Sequence, residues 1–155
     1  IMNSGQSDRV SLTVPSDLRY GEAARALLDA LSKRLEHETG TAGLNTQVIS
    51  AFNEAFNNVV EHAYQGARGG DVRVEVLVAP THLEISLTDN GISFDIDAVE
   101  APDLESLPEG GLGIWIIRSF MSKVEYVTRD DCNVFTMTKD FENPLVISEN
   151  RLAEV

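Results

Sequence analysis

At 155 residues, with 43% hydrophobic composition and ordinary glycine and proline use, the chain fits one globular domain with a sizeable core. Its formal net charge of −13 leaves no basic stripe to displace counterions from a nucleic-acid backbone. No apolar run approaches the roughly 20 residues needed to span a bilayer, and the single cysteine, Cys132, excludes an internal disulfide.

That acidity still permits basic protein partners or an anion neutralised by a metal. Cys132 is expected to be a buried, inert thiol in a reducing, cytoplasmic setting. The opening residues, IMNSGQSDR, lack the charged-then-apolar layout of a signal peptide. Residues 1–9 are expected to be a disordered or extraneous N-terminus, residues 10–141 the domain, and residues 142–155 a peripheral or frayed tail.

RVSLTVP alternates from Val10 to Val14 and predicts a first strand stopped by Pro15. Ser16 or Asp17 can cap the next helix, where Leu18, Ala24, Leu27, Leu28, Leu31 and Leu35 keep helical spacing. ETGTAG breaks it near Gly40, and Thr46 can begin a second helix ending near Gly66. After the turn GARGG, DVRVEVLV and HLEISLT each alternate and predict a hairpin with one covered face. Regular periodicity then disappears from Asp89 to Gly113, a stretch with seven acids and no Lys or Arg. A loop that long inside a compact domain is usually functional or mobile, and about Ile96 to Gly110 is expected to act as a mobile lid. LGIWIIRSFMSKV resumes as an apolar helix, and VEYVT with NVFTMTKDF predicts a closing hairpin around RDDCN. This order predicts an α+β fold: a two-layer α/β sandwich with a mixed, mostly antiparallel sheet covered on one face by helices.

Within the second helix, NEAFNNVVEHAY carries three asparagines among helix formers, although asparagine competes for backbone hydrogen bonds. At about 100° per residue, Val48, Phe52, Ala55, Val59 and Ala63 form a core stripe, and Glu54, Asn58, Glu61 and His62 gather opposite. Glu54 and Asn58 are four apart and can reach one ligand. The plain alternative is the solvated face of an amphipathic helix.

Two further elements follow in order: DNG, Asp89 to Gly91, at a strand end, and EGGLG, Glu109 to Gly113, opening a helix. Each has a use if the ligand is a nucleotide. The Asn58 amide oxygen is a neutral, hard ligand suited to Mg²⁺. Glu54, one turn earlier, can accept a proton from a nucleophile attacking phosphorus. Asp89 can accept from an exocyclic amino group such as that of adenine, and Gly91 lets backbone approach the base. Gly110, Gly111 and Gly113, with Leu112 between them, can turn backbone amides and a helix N-terminus toward phosphates. With no Lys or Arg in the lid, phosphates would depend on Mg²⁺ and backbone dipoles. Each piece also has a plainer reading. DNG serves as a turn elsewhere, EGGLG as a flexible loop, His62 as a satisfied structural histidine and Trp115 as core.

In order and spacing, SAFNEAFNNVVEHAY, DNGISFD and EGGLGIWIIRSFMSKVEY resemble the N box and the two glycine boxes of the GHKL superfamily (the Bergerat ATP-binding fold). Within it they look like stand-alone RsbW-type anti-sigma-factor serine kinases, and the closing MTK also fits. The resemblance runs from about Val10 to Phe141. It implies Glu54 as general base, Asn58 as magnesium ligand, Asp89 and Gly91 beside adenine, and Gly111 and Gly113 beside phosphate. It further implies ATP and Mg²⁺, a serine on an anti-anti-sigma (STAS-type) protein as acceptor, a sigma factor as second partner, and a homodimer. Two alternatives stand beside it: a nucleotide-dependent binding module without phosphotransfer, and a histidine-kinase-like ATPase domain. Ser93 stands where the superfamily usually has a second glycine, as is typical of the RsbW type. Cys132-Asn133 replaces a Gly-Thr pair common among relatives, so no threonine contact to adenine is expected.

Overall fold

A computed structural model describes residues 6–65, 69–98 and 112–146 of the chain. Strand β1 (Asp8–Pro15) leads into helices α1 (Leu18–Thr39) and α2 (Leu44–Asn58), the latter continued by one π-helical turn over Val59–Ala63. The hairpin β2 (Asp71–Val78) and β3 (His82–Asp89) precedes α3 (Leu112–Phe120), and the hairpin β4 (Lys123–Arg129) and β5 (Cys132–Asp140) closes the domain. The five strands lie in the order β1-β2-β3-β5-β4. The expected sheet was mixed; among the described residues every pairing is antiparallel.

Register explains the two-layer form. Val74 faces Leu87, Val76 faces Ile85, and these continue into Phe135 and Met137 of β5, so one sheet face is an unbroken apolar surface. The other face carries Arg73, Glu75, Glu84, Ser86 and Thr136, a polar surface suited to water. Helix α2 supplies the matching stripe, with Val48, Phe52, Ala55, Val59 and Ala63 all buried as the helical spacing predicts. Burying each larger side chain of this kind contributes about 1.5–3 kcal/mol to stability. Helix α1 packs on α2 closely at Gly21, where a Cβ would meet the Phe56 ring at 2.7 Å.

The helix ends follow local chemistry with one exception. Asp17 caps α1 by accepting from the Arg19 amide at 2.9 Å, and Gly40 ends it in the left-handed region, φ 68°. Helix α2 begins at Leu44 after a left-handed Gly43 and has no side-chain cap, so Thr46 lies inside its first turn and does not cap it. The chain beyond β5 is held as far as Leu145. The Glu142 amide donates to Thr41 Oγ1 at 2.9 Å, Asn143 Nδ2 to the Thr39 carbonyl at 3.0 Å, and the Leu145 amide to the Pro80 carbonyl at 2.7 Å. Asn143 thereby satisfies a carbonyl left open at the end of α1.

Candidate functional site

The three sequence elements meet at one end of the sheet. Helix α2 presents Glu54 and Asn58 on its uncovered side, both half-buried. Helix α3 packs against α2 and brings its first turn onto that pair. A Cβ placed on Gly113 would fall 2.7 Å from Glu54 Oε2 and 3.7 Å from Asn58 Nδ2. Only a glycine leaves the carboxylate where it stands. Among the described residues neither the Glu54 nor the Asn58 side chain is engaged by a hydrogen bond or ion pair, so both are open to a ligand. Leu112 begins α3 and is half-buried beside Gly113. Gly110, Gly111 and most of the expected lid lie outside the described residues.

The helix does not end as an α-helix, and that matters for the second element. Its last turn widens to π geometry over Val59–Ala63, a form that recurs at functional sites. The wider turn lets the Ala63 carbonyl accept from the Ile92 amide at 2.8 Å. Gly91 is pressed against that same carbonyl so closely that a Cβ would overlap it. Tyr64, next along, accepts from the Asn90 amide at 3.0 Å and donates to the Asp71 carbonyl at 2.9 Å. Burial raises the Tyr64 phenol above its ordinary pKa, partly offset by the Asn90 bond.

Asp89 continues the inward stripe of β3 after Leu83, Ile85 and Leu87 and is only 3% exposed. A buried carboxylate needs partners. Its Oδ1 accepts from the Gly91 amide at 2.9 Å, closing an Asx turn, and from Asn133 Nδ2 at 2.8 Å. Among the described residues Oδ2 takes no hydrogen bond, which leaves it for a ligand donor. Phe94 packs at a tilt against Tyr126, 4.5 Å between ring centroids, and its other neighbour is His62 at 6.2 Å.

Two expectations are corrected by the fold. Trp115 is not core but 44% exposed, because Ile114 and Ile117 take the inward side of α3. His62 is exposed, on the side away from the core stripe as its helical spacing predicts, and touches Phe94. Cys132 is half-buried and donates weakly from Sγ to Asn90 Oδ1 at 3.0 Å, so it is neither fully buried nor without a partner. Asn133 and Tyr64 carry no prediction from sequence as site residues. An asparagine at an inward position of β5, opposite Asp89, is the signal that would have found the first.

Residues 14–139 match the family described as the histidine kinase-like ATPase domain. The chain belongs to that family, in its RsbW branch. It is 30% identical to the serine-protein kinase RsbW of Listeria monocytogenes serovar 1/2a, over 92% of this chain and 93% of that relative. It is 32% identical to the serine-protein kinase RsbW of Halalkalibacterium halodurans, over 89% of this chain and 86% of that protein. Its fold is similar to the crystal structure of the RsbU and RsbW domains of a Mycobacterium tuberculosis protein, with TM-score 0.60 and 16% identity over 89% of this chain and 33% of that one. The α+β fold expected from the alternating strands and three helices is the fold of this family.

The donor set fits a magnesium nucleotide. Among the described residues no three His, Cys, Asp or Glu side chains cluster as a self-sufficient metal site. A magnesium ion held here would rely on the Asn58 amide together with phosphate oxygens and water, the mixed shell this cation favours. Glycine at position 113 keeps space between that amide, Glu54 and the first turn of α3, where a side chain would otherwise stand. Among the described residues no helix is long and apolar enough to cross a membrane.

Proposed function

We propose that this chain is an ATP-dependent serine protein kinase and anti-sigma regulator that phosphorylates a STAS-type anti-anti-sigma partner. The observation that carries the reading is the convergence of Glu54, Asn58 and Gly113 at the first turn of α3. The name shared by its relatives, serine-protein kinase, supports the reaction class.

When bound, ATP supplies the phosphoryl group, with magnesium screening its charge. Asn58 would hold the ion, and the backbone at Leu112 and Gly113 would face the phosphates with the positive end of α3. Asp89 Oδ2 would accept the exocyclic amino group of adenine, and Gly91 would let that base lie against backbone. Glu54 takes the proton of the acceptor serine hydroxyl as its oxygen bonds to the γ-phosphorus and the bond to the bridging oxygen of ADP breaks. A homodimer in the cytoplasm, holding a sigma factor when the STAS partner is phosphorylated, completes the proposed switch.

Glu54→Gln tests the reading, because it keeps size and hydrogen bonding while removing basicity. The variant should bind ATP and partner normally but transfer phosphate on the order of 10²-fold more slowly. Asn58→Ala should lose ATP binding and transfer together. Transfer by Glu54→Gln at the wild-type rate would remove Glu54 as the base. No transfer by the wild type to any STAS partner would replace the kinase with a nucleotide-dependent binding module.

A further inference from the structure

The inward stripe of the sheet ends in a polar row across three strands. Thr128 of β4 faces Asn133 of β5, and Asn133 faces Asp89 of β3. The row before it is Tyr126, Phe135 and Leu87, which is apolar apart from one phenol. Asn133 is 2% exposed, so its amide must be fully satisfied by neighbours.

Its neighbours leave only one orientation. Nδ2 lies 2.8 Å from Asp89 Oδ1 and 2.9 Å from the Gly91 carbonyl, both of which only accept. The NH₂ group must face them, and Oδ1 must then accept from Thr128 Oγ1 at 3.0 Å. A one-way relay results: Thr128 donates to Asn133, and Asn133 donates to Asp89 and Gly91. Both hydrogens of the amide are spent on the two residues proposed to contact the base.

We infer that Asn133 is a positioning residue that sets base selectivity by holding Asp89 Oδ1 and the Gly91 carbonyl, leaving Asp89 Oδ2 as the atom that reads the nucleobase amino group. The inference rests on the proposed nucleotide reading and deepens it. Without the amide, the Asp89 carboxylate would keep only the Gly91 amide on Oδ1 and could turn about its last bond. Either oxygen, or neither, would then meet the ligand. Tyr64 and the π turn hold the backbone of Asn90 and Ile92 from the other side, so the side-chain angle of Asp89 is the one freedom that Asn133 removes.

The test measures ATP and GTP affinity, each with Mg²⁺, by calorimetry on the full chain, together with turnover on a STAS substrate. Asn133→Ala should weaken ATP on the order of 10-fold, the scale of a hydrogen bond to a charged group, with GTP little changed and kcat at saturating ATP preserved. Asn133→Asp keeps the shape but sets a carboxylate against two acceptors. At mildly alkaline pH it should lose at least as much ATP affinity as Asn133→Ala, whereas a packing role would leave it near wild type. Asn133→Thr restores one donor and should recover part of the ATP preference. Thr128→Val removes the donor at the far end of the relay, together with the Thr128 contact to the Tyr126 phenol, while leaving Asn133 and Asp89 intact; it should lower ATP affinity a few-fold, which keeps the inference testable if an Asn133 variant does not fold. A wild type that binds ATP and GTP equally would remove the adenine reading itself. A selective wild type whose Asn133 and Thr128 variants keep the full ATP-to-GTP ratio would overturn the inference alone.

Discussion

Gly113→Ala isolates the geometry on which the proposed chemistry depends. The new methyl carbon would stand 2.7 Å from Glu54 Oε2, so the carboxylate must withdraw by roughly 0.8 Å to regain ordinary van der Waals separation. The obstructing atom is the end of a flexible side chain, and alanine suits a helix better than glycine by up to about 1 kcal/mol. The fold should therefore be unharmed, with a melting temperature equal to or slightly above wild type. Catalytic groups tolerate displacement of only about 0.5 Å, and a 1 Å error can cost about 10²-fold. Transfer to a STAS protein should accordingly slow by about 10- to 100-fold, equivalent to about 1.4–2.7 kcal/mol of transition-state stabilisation. Single-turnover transfer of labelled phosphate measures it, with a double-mutant cycle against Glu54→Gln. If Gly113→Ala acts through Glu54, adding it to Glu54→Gln should cost little more. Wild-type transfer by Gly113→Ala, or losses that multiply in the double variant, would refute the reasoning.

Gly91→Ala should be worse for the fold, because its Cβ would overlap the Ala63 carbonyl, which is backbone and cannot swing aside. We expect a loss of about 1–3 kcal/mol in urea denaturation, together with loss of the thermal shift on adding ATP; an unchanged midpoint would contradict the packing described. Asp131→Gly should do the opposite. Asp130 and Asp131 both have positive φ, 47° and 64°, at the tip of the β4–β5 hairpin, as a type I′ turn demands. Relief of left-handed strain, less the entropy glycine loses on folding, should leave a gain of about 0.5 kcal/mol, read as a small rise in melting temperature. At alkaline pH, burial raises the folded-state pKa of both Tyr64 and Tyr126. Their contribution is complete below the unfolded tyrosine pKa of about 10 and is lost as pH rises through the folded values. Lys139 works in the other direction, since burial lowers its pKa and the folded state holds its proton less tightly. Comparing Tyr126→Phe with wild type separates the two: the variant should lose less stability above about pH 10, and equal slopes would discount Tyr126.

Local spacing was enough to determine much of this protein. The alternation in DVRVEVLV and HLEISLT specifies strands with one apolar face, and the stripe from Val48 to Ala63 specifies the buried side of α2, because both periods are properties of the backbone itself. The same spacing put Glu54 and Asn58 one turn apart on the open side, and the order of the three motifs identified the family. Only tertiary structure brought Gly113 onto that pair, since α3 reaches α2 across a long stretch without periodic pattern. The widened turn at Val59–Ala63 was equally hidden: the partners its last carbonyl meets, the Ile92 amide and the glycine at position 91, are distant in sequence. Trp115 was misplaced because the residues beside it in sequence, Ile114 and Ile116, are apolar, whereas Arg118 and Ser119, three and four positions on, share its exposed side of α3. Asn133 was missed for a different physical reason. Its meaning lies in the register that sets it opposite Asp89, and register is a property of paired strands, not of either strand alone.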